Sequence, residues 1–195
     1  MRKSAVERQT RETDISVQLS FDGAGNTKIV TGIGFFDHML DALARFGSLD
    51  LQITCRGDLQ VDGHHTVEDV GICLGQAIRE ALGDKKGIRR VGEAMVPMDE
   101  ALAQVVMDIS GRPYLIFDAA FPAPMCGGYD TQLTLEFFRA VAQNAGITLH
   151  MKVPYGYNAH HMTEALYKAF GKALDDAVSI DPRVKGIKST KGILA

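Results

Sequence analysis

His64-His65-Thr66-Val67-Glu68 returns as His160-His161-Met162-Thr163-Glu164, a shift of 96 residues. The same elements surround each copy. In the first, FFDHMLDALARFG (35–47) repeats apolar residues at helical spacing and stops at a glycine. LDLQITCR (49–56) reads as a strand, and HHTVEDVGICLGQAIREALG (64–83) as a long helix. In the second, TQLTLEFFRAVAQNAG (131–146) is a helix, ITLHMKV (147–153) a strand and HHMTEALYKAFGKALDDAV (160–178) a helix. Phe46–Leu51 falls on Asn144–Leu149 at a shift of 98, and Gly75, Ala77 and Ala81 match Gly171, Ala173 and Ala177. A shared HHxxE inside a shared order of elements indicates an internal duplication. The expected fold is therefore α/β (α+β): one domain over 1–195, pseudo-repeats of about 1–93 and 94–182, and a tail from 183 to 195.

Ahead of the first helix, Ile15, Val17, Leu19 and Phe21 alternate with polar residues, which predicts a half-buried strand. The turn cluster 22–26 then leads to a short strand, Thr27 to Thr31, expected to complete a hairpin. In the second half, strands are expected near 94–109 and 114–119, with a turn at Gly111-Arg112-Pro113, and 121–130 reads as a loop.

Composition narrows the function. The chain has 195 residues, 46% of them apolar and 23% charged, as expected of a soluble globular protein. No run reaches the roughly 18 apolar residues that a membrane span needs, and the opening MRKSAVERQTRET has no apolar stretch resembling a secretory signal. The net charge of −3 lacks the basic excess of a general nucleic-acid binder. Cys55, Cys73 and Cys126 are odd in number, far apart and without a C-x-x-C pair, so neither a disulfide framework nor a thiolate metal site is expected. A cytoplasmic location fits.

The histidines carry the chemistry. Of six, His64, His65, His160 and His161 belong to the two motifs, while His38 sits in the first helix and His150 in a strand. Residues three or four apart share a helix face, so Glu68 can lie beside either His64 or His65, whereas the adjacent imidazoles diverge. One ion cannot readily take both rings of a pair, but two ions can take one each. Two such motifs describe two metal sites built from imidazole and carboxylate. That donor set suits manganese(II) or iron(II), with zinc as the rival. The competing account is a polar helix start whose His and Glu only face solvent.

GFFDHML (34–40), DGHHTVEDVGICLGQAI (62–78), VPMDEAL (96–102), DISGRPYL (108–115), NAHHMTEALYKAFGKAL (158–174), ERQTRET (7–13) and STKG (189–192) resemble the imidazoleglycerol-phosphate dehydratase family of histidine biosynthesis, in its monofunctional form. The resemblance covers nearly the whole chain. It implies that each half is a four-stranded sheet with helices on one face. It also implies a homo-oligomer, a shell of 24 subunits built from trimers, with active sites between subunits and two manganese(II) ions in each. The reaction implied is dehydration of a small phosphate substrate, imidazole glycerol phosphate, to imidazole acetol phosphate.

Residue by residue, the resemblance assigns His38, His64, His65, Glu68, His160, His161 and Glu164 to the metals. His65, Glu68 and Glu164 are also expected at the reacting centre. Many members carry histidine 24 residues before the second HH, where this chain has Glu136, the repeat counterpart of His38. Glu136 is expected to ligate in its place, or to leave the position to water. Glu12 corresponds to a substrate-contacting carboxylate and is the expected principal acid/base. Arg90, Arg112, Lys168, Ser189 and Lys191 correspond to phosphate contacts. The rival readings are a binuclear metallohydrolase and a metal-binding shell protein. Phe35, Phe36, Leu40, Leu43 and Cys73 are expected in the core, and His150 is expected to be structural.

Overall fold

The duplicated motif predicts two runs of chain on one course, and the computed structural model, which describes residues 2–194, has that form. The first half runs β1 (Lys3–Gln9), β2 (Thr13–Ser20), β3 (Thr27–Val30), α1 (Gly34–Phe46), β4 (Asp50–Gly57) and α2 (His64–Leu82). The second runs β5 (Val91–Met98), β6 (Ala101–Asp108), β7 (Tyr114–Asp118), a small ribbon of β8 (Met125–Cys126) and β9 (Tyr129–Asp130), then α3 (Leu133–Ala145), β10 (Thr148–Tyr155) and α4 (Ala159–Val178). The sheets have matching orders, β1-β2-β4-β3 and β5-β6-β10-β7. In each, the last strand lies parallel to its neighbour and the other pairings are antiparallel.

Alternation turns one face of each sheet inward. Ile15, Val17 and Leu19 of β2 and Leu51, Ile53 and Cys55 of β4 are buried, and Ala103, Val105 and Met107 of β6 repeat the pattern. Burying a side chain of Leu or Ile size contributes about 1.5–3 kcal/mol. The long helices cover these faces, α2 over β1, β2 and β4, and α4 over β5, β6 and β10. The shorter helices cross over between halves: α1 packs on α4 and α3 on α2. Phe36 of α1, Phe137 and Phe138 of α3 and Tyr167 and Phe170 of α4 form one aromatic cluster between the sheets.

The matched glycines Gly75 and Gly171 sit at the two helix crossings. A Cβ on Gly171 would lie 2.1 Å from the Leu43 carbonyl oxygen of α1, and one on Gly75 would lie 2.7 Å from the Val141 carbonyl oxygen of α3. No side chain fits there, which is why the repeat keeps glycine at both.

Two sequence expectations are corrected, and one strand had no counterpart in the sequence reading. β3 forms no hairpin with β2; it pairs in parallel with β4 at the sheet edge, because α1 carries the chain from β3 across to β4 in a strand–helix–strand unit. The region 94–109 is two strands joined at Asp99-Glu100, an antiparallel hairpin from Val91 to Asp108. β1 had no apolar signature because it is an edge strand with Val6 its one buried position. Phe36, Leu40, Leu43 and Cys73 are fully buried and Phe35 partly so, while His150 is exposed on β10.

Candidate active site

Both HH pairs open a helix, and local chemistry fixes them there. At α4, Asn158 caps the first turn: its side-chain oxygen accepts from the backbone N–H of His160 at 2.9 Å and of His161 at 3.4 Å. At α2, the Asp62 carboxylate accepts from the backbone N–H of His64 at 2.7 Å. The neighbouring rings splay apart. His64 and His65 have ring planes at 90° and His160 and His161 at 77°, each pair about 6 Å between centroids.

Three donors converge between α1 and α4. His38 Nε2 lies 3.3 Å and His160 Nε2 3.1 Å from Glu164 Oε2, and the donor atoms of all three lie within 4.8 Å of one another. Glu164 is buried beneath the two imidazoles. Its other oxygen, Oε1, accepts from Lys168 Nζ at 2.6 Å, one turn along the helix. Burial works to raise the Glu164 pKa, but Lys168, His160 and His38 outweigh it and hold the carboxyl below its ordinary value. Lys168, read as a phosphate contact, pairs with Glu164 and lies over the ring of Phe46.

The equivalent place lies between α2 and α3. His64 Nε2 faces Glu68 Oε2 at 3.6 Å, so His64, not His65, is the partner of Glu68. Glu136 of α3 lines the same cleft of about 550 Å³ as His64. Its carboxylate accepts from Arg139 Nη1 at 2.5 Å.

The second histidine of each pair turns elsewhere and has its own carboxylates. His65 Nδ1 donates to Asp58 at 3.0 Å and His161 Nδ1 to Glu100 at 2.7 Å. These bonds fix the proton on Nδ1 and leave Nε2 as a free lone pair, the arrangement found behind metal-binding histidines. They raise both imidazole pKa values, and His161 in turn holds Glu100 down to about 2. Glu12 Oε1 is 3.8 Å from His65 Nε2, and Asp99 Oδ2 is 3.8 Å from His161 Nε2. The β1–β2 and β5–β6 turns thus present an acid to equivalent rings.

A basic cavity lies apart from these histidines. Arg90, Arg112, Ser189 and Lys191, four of the residues read as phosphate contacts, line it together. Arg90, in a left-handed backbone conformation with φ +76°, gives Nε and Nη2 to Asp108 at 2.7 and 2.8 Å and Nη1 to the Lys188 carbonyl at 2.8 Å. The fork therefore fixes the tail beside the cavity. Burial pushes the thiols of Cys55 and Cys73 up to about 11, which suits packing and not nucleophilic chemistry.

The family model described as imidazoleglycerol-phosphate dehydratase matches residues 31–174. The chain belongs to the imidazoleglycerol-phosphate dehydratase family. Its members are hydro-lyases, and so by this membership is the chain. An imidazoleglycerol-phosphate dehydratase of Acetivibrio thermocellus is 58% identical over 193 residues, 99% of both chains. That of Symbiobacterium thermophilum is 61% identical over 193 residues, 99% of this chain and 93% of its own. The crystal structure of the Staphylococcus aureus dehydratase superposes with a TM-score of 0.84 at 41% identity, covering 92% of this chain and 99% of that one. The Pyrococcus furiosus structure gives 0.83 at 39% identity, covering 97% and 100%.

Against that family background, the sequence reading missed the supporting carboxylates Asp58, Asp99, Glu100 and Asp108. VPMDEAL carried two of them in a quoted motif, but nothing in its spacing ties Glu100 to His161, which lies 61 residues away. Asp58, seven residues before His65, was closer to being legible.

Proposed function

We propose that the chain dehydrates imidazole glycerol phosphate to imidazole acetol phosphate in histidine biosynthesis, with two manganese(II) ions in each active site. The observation that carries the reading is the doubled arrangement of HHxxE helix starts, each with its second histidine anchored through Nδ1 to a carboxylate. The donors fit divalent ions. His38, His160 and Glu164 would hold one site and His64, Glu68 and Glu136 its counterpart, with Nε2 of His65 and His161 as further ligands. Nitrogen and carboxylate donors without thiolate suit manganese. When bound, the ions supply Lewis acidity and a template for the imidazole ring.

The protein's own groups supply the rest. The substrate loses a hydroxyl and a carbon-bound proton, which leave together as water. Glu12 reaches toward His65 and is the group assigned to move protons, through Oε1. Arg90, Arg112, Ser189 and Lys191 offer charge-assisted donors to the phosphate. Lys168 keeps Glu164 ionised under its imidazoles. Nε2 of His65 and His161, turned away from the three-donor cluster, suits sites completed by other subunits, in line with a homo-oligomer of 24 chains built from trimers. Among the described residues no helix is long and apolar enough to cross a membrane. A cytoplasmic enzyme is the accompanying proposal.

The test is turnover of imidazole glycerol phosphate after chelation and after return of manganese. Expected is loss, then recovery, of imidazole acetol phosphate formation with no inorganic phosphate released. Phosphate release without dehydration would identify a metallohydrolase and overturn the reading.

A further inference from the structure

Asp69 directly follows Glu68 on α2, and its side chain is 10% exposed. A buried carboxylate is costly unless paired and hydrogen-bonded. Asp69 meets both conditions: Oδ1 accepts from Arg8 Nε at 3.1 Å and Oδ2 from the buried Thr13 hydroxyl at 2.5 Å. Thr13 closes the β1–β2 turn, and Glu12 is the residue before it. Inside the turn, Thr10 Oγ1 accepts from the backbone N–H of Glu12 at 3.1 Å and of Thr13 at 3.0 Å, and the Thr10 N–H donates to the Thr13 carbonyl at 2.8 Å. On the other side the Glu12 carbonyl accepts from Asp58 N–H at 3.1 Å, and Asp58 is the residue that anchors His65. The backbone of Glu12 is thus held between α2 and the loop that fixes its facing imidazole.

The duplication provides an internal control. At the shift of 96 that aligns the two HHxxE motifs, Asp69 falls on Ala165, a fully buried alanine. The second half does without a buried acid there, because its turn is tied to the start of α4 directly: Glu100 accepts from Tyr157 and Asn158 N–H and from His161. The buried acid occurs in the half whose turn carries the proposed proton-transfer group.

We propose that Asp69 is a positioning residue, which locks the β1–β2 turn onto α2 through Thr13 and so sets the Glu12 carboxylate opposite His65. The proposal rests on the reading of Glu12 as the principal acid/base. A misplacement of about 1 Å in such a group lowers turnover by about 100-fold.

The experiment compares Asp69→Asn, Thr13→Val, Thr13→Ser and Glu12→Gln in the full-length, manganese-loaded protein, reading kcat, KM and bound metal. Expected is a fall in kcat of about 10- to 100-fold in Asp69→Asn and Thr13→Val with KM and metal content near parental, and recovery in Thr13→Ser, which restores the hydroxyl. Adding Asp69→Asn to Glu12→Gln should lower turnover no further, since the group being positioned is already gone. An inactive Glu12→Gln beside Asp69→Asn and Thr13→Val within twofold of parental kcat would overturn the positioning role alone. Full loss that simply adds to Glu12→Gln, or loss of bound metal in Asp69→Asn, would also overturn it and make Asp69 a general structural or metal-site residue. Near-parental turnover in Glu12→Gln would bring down the Glu12 reading, and the positioning role with it.

Discussion

The α1–α4 cluster and its α2–α3 counterpart descend from one motif, yet their local charges differ. In the first, His38 and His160 meet a buried Glu164 whose second oxygen is held by Lys168. In the second, Glu68 is half-buried, and the repeat counterpart of Lys168 is Ile72. The helper on the shorter helix is inverted as well. His38 has Asp41 three residues on, whereas Glu136 has Arg139. The first cluster is thus assembled before any ligand arrives. The second has its carboxylates on separate partners, Glu68 on His64 and Glu136 on Arg139. Duplication preserved the HHxxE frame and left the supporting charges free to diverge. Preorganisation lowers the cost of binding, so the α1–α4 cluster should hold the tighter ion.

The largest effect should follow from breaking the preformed cluster. Glu164→Gln is expected to remove the tighter of two manganese binding events and to lower kcat/KM by at least about 100-fold, more than loss of a supporting partner would. Glu68→Gln should remove the weaker event. Calorimetric titration of manganese into both variants checks the order. Loss of the weaker event in Glu164→Gln would reverse the comparison.

The helix crossings can be broken separately. Gly171→Ala puts a methyl 2.1 Å from the Leu43 carbonyl oxygen, against 2.7 Å from the Val141 oxygen for Gly75→Ala. Overpacking of this kind costs about 2 kcal/mol at the tighter crossing and about 1 kcal/mol at the looser. Denaturant unfolding of metal-free protein would measure both. Equal costs would mean that the two crossings are alike.

The legible parts of this molecule were those written in one local stretch. HHxxE, the glycine-stopped helix 34–46 and the alternation of 15–21 each encode their geometry within a few residues. What could not be read depends on long-range placement. β3 reads as a hairpin partner from its turn, and only the path of α1 sends it to the far side of β4. β1 is nearly polar because pairing with β2, not burial, makes it a strand. In the site, the two HHxxE motifs stand out because imidazole and carboxylate at helical spacing are rare, whereas His38 and Glu136 are named only by the resemblance and the repeat. Asp58, Glu100 and Asp69 were passed over because a supporting acid looks like any surface acid until its partner is seen. Lys168 lies one turn past Glu164, a spacing that puts the two on one helix face and makes their ion pair legible from the sequence.

Glu136 sharpens the comparison at a smaller scale. If its carboxylate serves the weaker site, Glu136→Ala should weaken that ion alone, by about 10-fold. Glu136→His, which copies His38, should restore it and bring the two affinities closer together. Two parental affinities in Glu136→Ala would leave the carboxylate to its Arg139 partner.

The smallest effect concerns the anchors of the second histidines in metal-free protein. Glu100 is depressed from its ordinary 4.5 to about 2, so its stabilisation is complete above 4.5 and is lost as pH falls toward 2. His161 is raised from 6.5, so its stabilisation is complete below 6.5 and is lost as pH rises through the raised value. The charged pair therefore helps the fold most between these limits, around pH 5 to 6. Glu100→Gln should lower the melting temperature of metal-free protein there by about 1–2 °C, with the difference shrinking at pH 3 and at pH 9. At neutral pH with manganese present the imidazole must be neutral to bind, and the same variant should act on metal affinity instead. A melting difference that stayed constant from pH 3 to pH 9 would show that Glu100 serves the α4 start through its bonds to Tyr157 and Asn158, and not through its charge.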